Sequence, residues 1–247
     1  MGLDRSEIAK RAAAKAALDL VRDGMRLGLG TGSTAKWFVD LLGERARAEG
    51  LDLTCVATSL RTARQAESAG LKVVTLDEAG WLDLTVDGAD EFDPDLNLIK
   101  GGGGALLQEK IVATASDRMV VIADQSKQVE HLGAFPLPVE IVTFGWETTK
   151  AIVEETLEDM DVAGTLTTLR MDGDEPFVTD CGNFIIDCRL KRIGDADELA
   201  AQLNAIPGVV ETGLFIDICD RVIVGYEDGG VEVLEIDDEE EDEDDFV

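Results

Sequence analysis

The chain has a single histidine, His131, and four cysteines in 247 residues, with no Cys-x-x-Cys pair. That scarcity argues against a structural zinc site, and Cys55, Cys181, Cys188 and Cys219 read as reduced, partly buried thiols. No run of 18 apolar residues occurs, so no membrane-spanning helix is expected. The N-terminal MGLDRSEIAKR lacks the apolar stretch and cleavage site of a secretory signal, which makes the cytoplasm the expected location. Positive charge is scarce too: 22 Lys plus Arg face 52 Asp plus Glu, a formal net of −30. Nucleic acid and membrane surfaces are therefore not expected partners.

What the chain does contain is apolar content of 45%, enough for one large or two modest domains. Its acidity is spread along the chain. Nine negatives form the unbroken run 237–245, and removing them from the net of −30 still leaves −21. Acid distributed over a well-patterned chain suggests a surface kept hydrated in high salt, and the expected source is a salt-loving organism. In so negative a chain, a lysine beside a glycine loop is better explained by an anionic ligand than by surface decoration, which singles out Lys100 and Lys127.

Alternating patterns organise the first half. Residues 6–22 read as an alanine-rich helix capped by Ser6, residues 25–28 as a strand feeding the loop GLGTGSTA, and residues 33–48 as the next helix. Strands at 53–57, 72–75, 82–86 and 119–123, with helices at 60–69 and 105–116, continue the alternation. This predicts an α/β fold with a doubly wound, mostly parallel, Rossmann-like sheet whose ligands sit beyond the carboxyl ends of the strands. After Asp124 the pattern changes to a strand in FPLPVEIV, a helix at 146–160, strands near 166–171, 177–178 and 184–188, and a helix at 195–205. That is the pattern of a second, smaller α+β (ferredoxin-like) domain. Late strands at 213–218, 221–225 and 231–236 return to the first domain. The expected division is 1–134 plus 208–236 for a catalytic α/β domain, 135–207 for the small domain and 237–247 for a disordered acidic tail.

The stretch 87–110, DGADEFDPDLNLIKGGGGALLQEK, gathers carboxylates, a lysine and four glycines between apolar segments, and reads as an active site. Gly101, Gly102, Gly103 and Gly104 can set bare backbone N–H groups against a ligand, with the positive charge of Lys100 beside them. Glu109 lies on a helical face that is otherwise apolar, with Leu106 and Val112 three residues to either side. Desolvation there raises a carboxyl pKa toward the range of a general base, while a nearby lysine pulls it down; the plainer alternative is a solvated glutamate paired along its helix. Asp87 and Asp90, at the end of an apolar strand, can bind hydroxyls or move protons, or can simply shape an Asp-Gly turn, the role read for Asp93 and Asp95. Thr31, Gly32, Ser33 and Thr34 can offer N–H groups and hydroxyls to a phosphate or carboxylate at a helix N-terminus; a tight turn capped by Ser33 is the alternative. The aspartates lack the spacing of a magnesium or calcium loop, so no metal is expected.

The segments GLGTGST, TSLRT, VDGADE, IKGGGGALLQEKI, DQSKQV, FPLPVE and TDCGNFIID follow one another in this chain, and LNAIPGVVETGLF comes after them. In order and spacing they resemble the motifs of type A ribose-5-phosphate isomerases, from the first helix to roughly Gly225. The resemblance implies a sugar-phosphate isomerase of the pentose phosphate pathway, interconverting D-ribose 5-phosphate and D-ribulose 5-phosphate through an enediolate. It implies no metal and no organic cofactor, and a homodimer or homotetramer. By the same resemblance Glu109 is the proton acceptor, and Lys100 with the N–H groups of Gly101, Gly102 and Gly103 stabilises the enediolate oxygen. Asp87 and Asp90, with Gly88 and Ala89 between them, hold hydroxyls and help open the ring. Thr31 to Thr34 and Lys127 complete substrate binding, with Lys10 on the phosphate side. Leu60 and Arg61 depart from the family pattern and carry no implied role, and His131 reads as structural. Sugar-phosphate sensors and coenzyme A transferases share this fold. A sensor does not need Glu109, and a transferase uses a glutamate as nucleophile; the full motif series disfavours both.

Overall fold

The computed structural model describes residues 4–236; the acidic run 237–245 and the expected disordered tail lie outside the described residues. The chain opens with α1 (Arg5–Ala17), followed by β1 (Arg26–Leu29), α2 (Ser33–Glu49), β2 (Thr54–Ala57), α3 (Leu60–Ser68), β3 (Lys72–Val73), the short α4 (Leu76–Ala79) and β4 (Leu84–Asp87). Next come β5 (Glu91–Phe92), β6 (Leu98–Ile99), α5 (Leu106–Thr114) and β7 (Met119–Asp124). The second half runs through β8 (Leu137–Ile141), α6 (Trp146–Glu158), β9 (Leu166–Leu169), β10 (Met171–Asp172), β11 (Glu175–Pro176), β12 (Phe184–Arg189) and α7 (Ala196–Asn204). It closes with β13 (Val209–Thr212), β14 (Leu214–Phe215), β15 (Arg221–Gly225) and β16 (Val231–Glu235).

Seven strands form the large sheet in the order β16-β15-β7-β4-β1-β2-β3, all parallel except the edge strand β16. Its centre is buried on both faces, which accounts for the unbroken apolar run Met119 to Ala123 where a half-exposed strand would alternate. Val120 and Ile122 face the core beneath α1 and α2, whereas Val121 and Ala123 face Phe92, Leu98 and Phe215 on the opposite side. The alanines of α1 allow its backbone to lie directly on the sheet: Ala9, Ala13, Ala14 and Ala17 are all buried. Asp4, not Ser6, caps this helix, its carboxylate accepting from the Glu7 N–H at 2.8 Å. Asp4 has the extended backbone that a cap requires, while Ser6 is already inside the helix.

The small sheet, ordered β13-β8-β12-β9, is wholly antiparallel and carries α6 and α7 on one face, the β-α-β-β-α-β arrangement of ferredoxin-like modules. Two late segments differ from expectation. Val209–Thr212 pairs with β8 in the small sheet, and Leu214–Phe215 joins β6 and β5 in a separate three-stranded sheet, so only β15 and β16 return to the large one. Phe177 and Val178, expected as a strand, lie just beyond the hairpin strand β11. None of the described helices is long and apolar enough to cross a membrane. The loops after β1, β4 and β7 open at the same edge of the sheet, and the glycine loop between β6 and α5 meets them there.

Candidate active site

Three ionisable side chains from three elements converge beneath these loops. Asp87 ends β4, Lys100 follows β6 and Glu109 stands in the first turn of α5. The Lys100 ammonium is 3.0 Å from Asp87 Oδ2 and 3.3 Å from Glu109 Oε1, and donates a hydrogen bond to the Gly88 carbonyl. All three side chains are almost fully buried. Asp87 Oδ1 accepts from the N–H groups of Thr31 at 3.0 Å and Gly88 at 2.7 Å, stitching the ends of β1 and β4 together. Gly30 permits that approach, since a Cβ there would stand 2.0 Å from Asp87 Oδ1.

Burial pushes the Glu109 carboxyl up to about 8, with Asp87 adding to the rise and Lys100 opposing it. Burial also raises Asp87, again against the pull of Lys100. For Lys100 burial alone would lower the pKa, but the two carboxylates overcome it and the ammonium is held charged. It sits between the carboxylates where a cation would otherwise have to balance them. Among the described residues Glu109 Oε2 is buried and has no hydrogen-bond partner, and the same holds for Asp87 Oδ2, which meets Lys100 only as an ion pair. A glutamate with one oxygen on a lysine and the other free, at a raised pKa, has the chemistry of a general base.

Most of the expected binding residues meet around one cavity; Asp87, expected to hold substrate hydroxyls, is wholly buried and does not line it. Thr31, Gly32, Ser33 and Thr34 line it from the start of α2, Gly88, Ala89 and Asp90 from the end of β4, and Lys127 from the turn after β7. Lys100, Gly101, Gly103 and Glu109 complete the wall. The cap of α2 is Gly32, which supplies no side-chain bond, so the first-turn N–H groups of that helix stay available; Ser33 is not a cap. The Thr31 hydroxyl turns away to Thr58, Ser59 and Thr62 at 2.8, 2.8 and 3.0 Å. Gly102 N–H donates to Asp90 Oδ2 at 2.7 Å, which leaves it engaged with protein and not free for a ligand. Lys10 is absent from this lining and pairs with Glu7 along α1 at 2.9 Å. His131 is exposed in the loop before β8. Asp93 is a turn residue as expected, accepting from Asp95 and Asn97 N–H.

Sequence reasoning passed over several supports of this site. Arg170, between β9 and β10, binds Asp187 through two nitrogens and donates to the Gly101 carbonyl at 2.8 Å. Lys110, next to Glu109, reaches Glu211 at 2.7 Å and the carbonyls of Thr212 and Leu214 at 2.9 and 2.7 Å, fastening α5 to the late strands. Arg61 borders a neighbouring cavity that shares Thr31 and Gly103 with the first. The signal available for Arg170 and Lys110 was their positive charge in an acidic chain, but nothing local to either residue points to the glycine loop or the late strands.

Known proteins resemble this chain over most of its length. The family model for ribose 5-phosphate isomerase A (phosphoriboisomerase A) matches residues 54–229. The chain is 68% identical over 228 residues to ribose-5-phosphate isomerase A of Ruegeria pomeroyi, covering 92% of this chain and 87% of that one. A solved ribose 5-phosphate isomerase A from Methanocaldococcus jannaschii superposes with a TM-score of 0.84 at 41% identity, covering 92% of this chain and 97% of the other. A D-ribose-5-phosphate isomerase solved in complex with phospho-erythronic acid gives 0.85 at 43% identity, with the same coverage of 92% and 97%. The salt-loving source expected from the charge finds no support among the relatives. With a family model spanning most of its length and a relative at this level of identity, the chain belongs to the ribose 5-phosphate isomerase A family.

Proposed function

We propose that this protein interconverts D-ribose 5-phosphate and D-ribulose 5-phosphate, with Glu109 carrying a proton between C2 and C1. The observation that carries the reading is the buried, unpartnered Oε2 of Glu109 beside an ammonium and a glycine loop. The substrate phosphate binds at the open N-terminus of α2 with Lys127 alongside, where helix dipole and ammonium both favour an anion. Asp90 and the 88–89 backbone hold hydroxyls of the opened sugar. Glu109 then removes the proton from C2, and the electrons move to the carbonyl oxygen at C1 as the enediolate forms.

Lys100 has a particular part in that step. Its ammonium donates to the Gly88 carbonyl and is ion-paired with Asp87 and Glu109, so in the resting site protein groups hold it on three sides. Once Glu109 takes up the proton it is neutral and holds the ammonium less strongly, while negative charge has appeared on the substrate oxygen. The ammonium follows the charge, with Gly103 N–H as a second donor. A turnover assay with ribose 5-phosphate tests the reading; no ketose formed under any salt condition would overturn it.

Two further results are expected. Because Glu109 works ionised and burial has raised its pKa to about 8, kcat/KM should rise with pH and level off above that value. A limb centred near the ordinary carboxyl range would contradict a buried base. Separately, a chain of net −30 repels itself at low ionic strength, and salt shortens that repulsion to about 3 Å at about 1 M. Thermal unfolding followed from about 0.1 to 1 M NaCl should give a rising Tm, and a flat or falling Tm would refute the surface-charge argument whatever the source organism.

The same reading assigns the catalytic unit to the large sheet and a supporting unit to the small one. It includes a homodimer or homotetramer, which light scattering distinguishes.

A further inference from the structure

We propose that Arg170 is a positioning residue for the isomerase reaction: reaching over from the small sheet, it sets the peptide planes of the glycine loop so that Gly103 N–H faces the substrate. The inference rests on the isomerase reading above. It starts from a weakness of the loop. Four successive glycines have no side chains to anchor them, and Gly101 itself adopts φ +105°, a conformation open to few other residues. An N–H group stabilises a developing oxyanion well only if its direction is fixed before the reaction. The Gly104 N–H closes a turn on the Gly101 carbonyl at 3.0 Å, but that bond leaves the middle peptide, between Gly102 and Gly103, without a partner inside the loop, so its direction is fixed from outside.

Arg170 is placed to do so. Its Nε and Nη2 are held by the two oxygens of Asp187 on β12, at 2.9 and 2.5 Å. The planar fork then aims Nη1 at the loop, 2.8 Å from the Gly101 carbonyl and 3.4 Å from the Gly102 carbonyl. Phe177 flanks the guanidinium, with its ring centroid at 5.8 Å. In a trans peptide the C=O and the following N–H point in opposite directions, so fixing one fixes the other. The unit joining Gly101 and Gly102 is clamped at both ends, its carbonyl by Arg170 and its N–H by Asp90 at 2.7 Å. In the next unit the carbonyl is drawn to Arg170 and the Gly103 N–H turns the opposite way, at a residue that lines the cavity. Among the described residues that N–H has no protein acceptor. Arg170 does not line the cavity, so its influence passes through the backbone.

The test compares the native protein with Arg170→Met, Arg170→Lys and Asp187→Asn. The readouts are kcat, KM and the competitive inhibition constants of phospho-erythronic acid and inorganic phosphate. Phospho-erythronic acid carries a planar carboxylate where the enediolate forms, so its binding reports the oxyanion donors; inorganic phosphate reports only the anion end. For Arg170→Met, kcat should fall by about 10–100-fold and phospho-erythronic acid binding weaken by a similar factor, because one preorganised donor is lost. KM and phosphate inhibition should stay within about threefold, as both depend on ground-state binding. Arg170→Lys cannot span Asp187 and both carbonyls and should fall between native and Met. Asp187→Asn leaves Arg170 in place but slackens its fork, and gives the same pattern in milder form even if an Arg170 variant folds poorly. Variants with native kcat and native phospho-erythronic acid binding, or losses equal for both inhibitors, would overturn the inference. If the native protein itself fails to turn over ribose 5-phosphate, the isomerase reading falls and this inference with it; an active native protein beside unimpaired variants sinks the inference alone.

Discussion

Glu109→Gln should lower kcat by about a thousandfold, within the roughly 10²–10⁴-fold that a positioned general base contributes, while KM changes little. The amide matches the carboxyl in size, and its oxygen can keep the contact with Lys100 now made at 3.3 Å, so the site stays assembled. Only the capacity to take a proton is lost. The same variant should be more stable than the native protein at alkaline pH. The native carboxyl has its pKa raised to about 8 from an ordinary 4.5, so the folded state binds the proton more tightly than the unfolded chain. Any stability linked to that proton is complete below about pH 4.5 and is lost as pH rises through about 8. Glutamine behaves as the permanently neutral form and avoids the loss. The Tm difference should be smallest at acidic pH, grow as the pH rises through about 8 and level off above it. A variant that loses activity and also loses stability at pH 8.5 would show that Glu109 is mainly a structural partner of Lys100.

Lys100→Met carries the second large effect, with the opposite sign for stability. Asp87 and Glu109 are buried against this one ammonium, and removing it strands two carboxylates away from water. Breaking a buried ion pair by deleting one partner costs about 3–5 kcal/mol. The penalty should be largest near pH 8 and shrink toward pH 5 as the carboxylates take up protons and no longer need a counter-charge. Activity should fall by about 10²–10³-fold because the chief oxyanion stabiliser is gone, and the rising limb of the pH profile should move to higher pH because nothing then opposes the desolvation of Glu109. Urea unfolding at the two pH values, together with the pH profile, checks both parts. Equal destabilisation at pH 5 and pH 8 would mean that lost packing of the lysine stem, and not stranded charge, dominates.

Much of the site was legible because its chemistry is concentrated in one stretch of chain. Lys100, the glycines and Glu109 lie within ten residues, and the apolar neighbours of Glu109 on its helix foretold a buried carboxylate that is indeed buried. The large sheet was legible for a related reason: a parallel strand buried on both faces leaves an apolar run such as Met119 to Ala123. What escaped depends on contacts distant in sequence. Arg170 is 69 residues from Gly101, and its role needs the pairing of β12 with β9, which no local pattern encodes. The Thr31, Thr58, Ser59 and Thr62 hydroxyls come from the loop after β1, the loop after β2 and the first turn of α3, which meet only after β1 and β2 pair. The resemblance implies an oxyanion role for Gly101, Gly102 and Gly103 alike, and identical neighbouring glycines carry no local signal that sets one apart; the contact with Asp90 separates Gly102. The short strands β5, β6 and β14 have two residues each, too few to leave an alternating pattern.

Solvent isotope incorporation tests the central claim, proton transfer between C2 and C1 by Glu109, most directly. The native protein would be incubated with ribose 5-phosphate in deuterium oxide, and the ribulose 5-phosphate formed analysed by proton NMR at C1. A glutamate that takes the C2 proton can exchange it with solvent before returning a proton to C1, so deuterium should appear at C1 in a measurable share of the product. Turnover with the original hydrogen fully retained at C1 at every reaction time would indicate direct hydride migration and contradict the account.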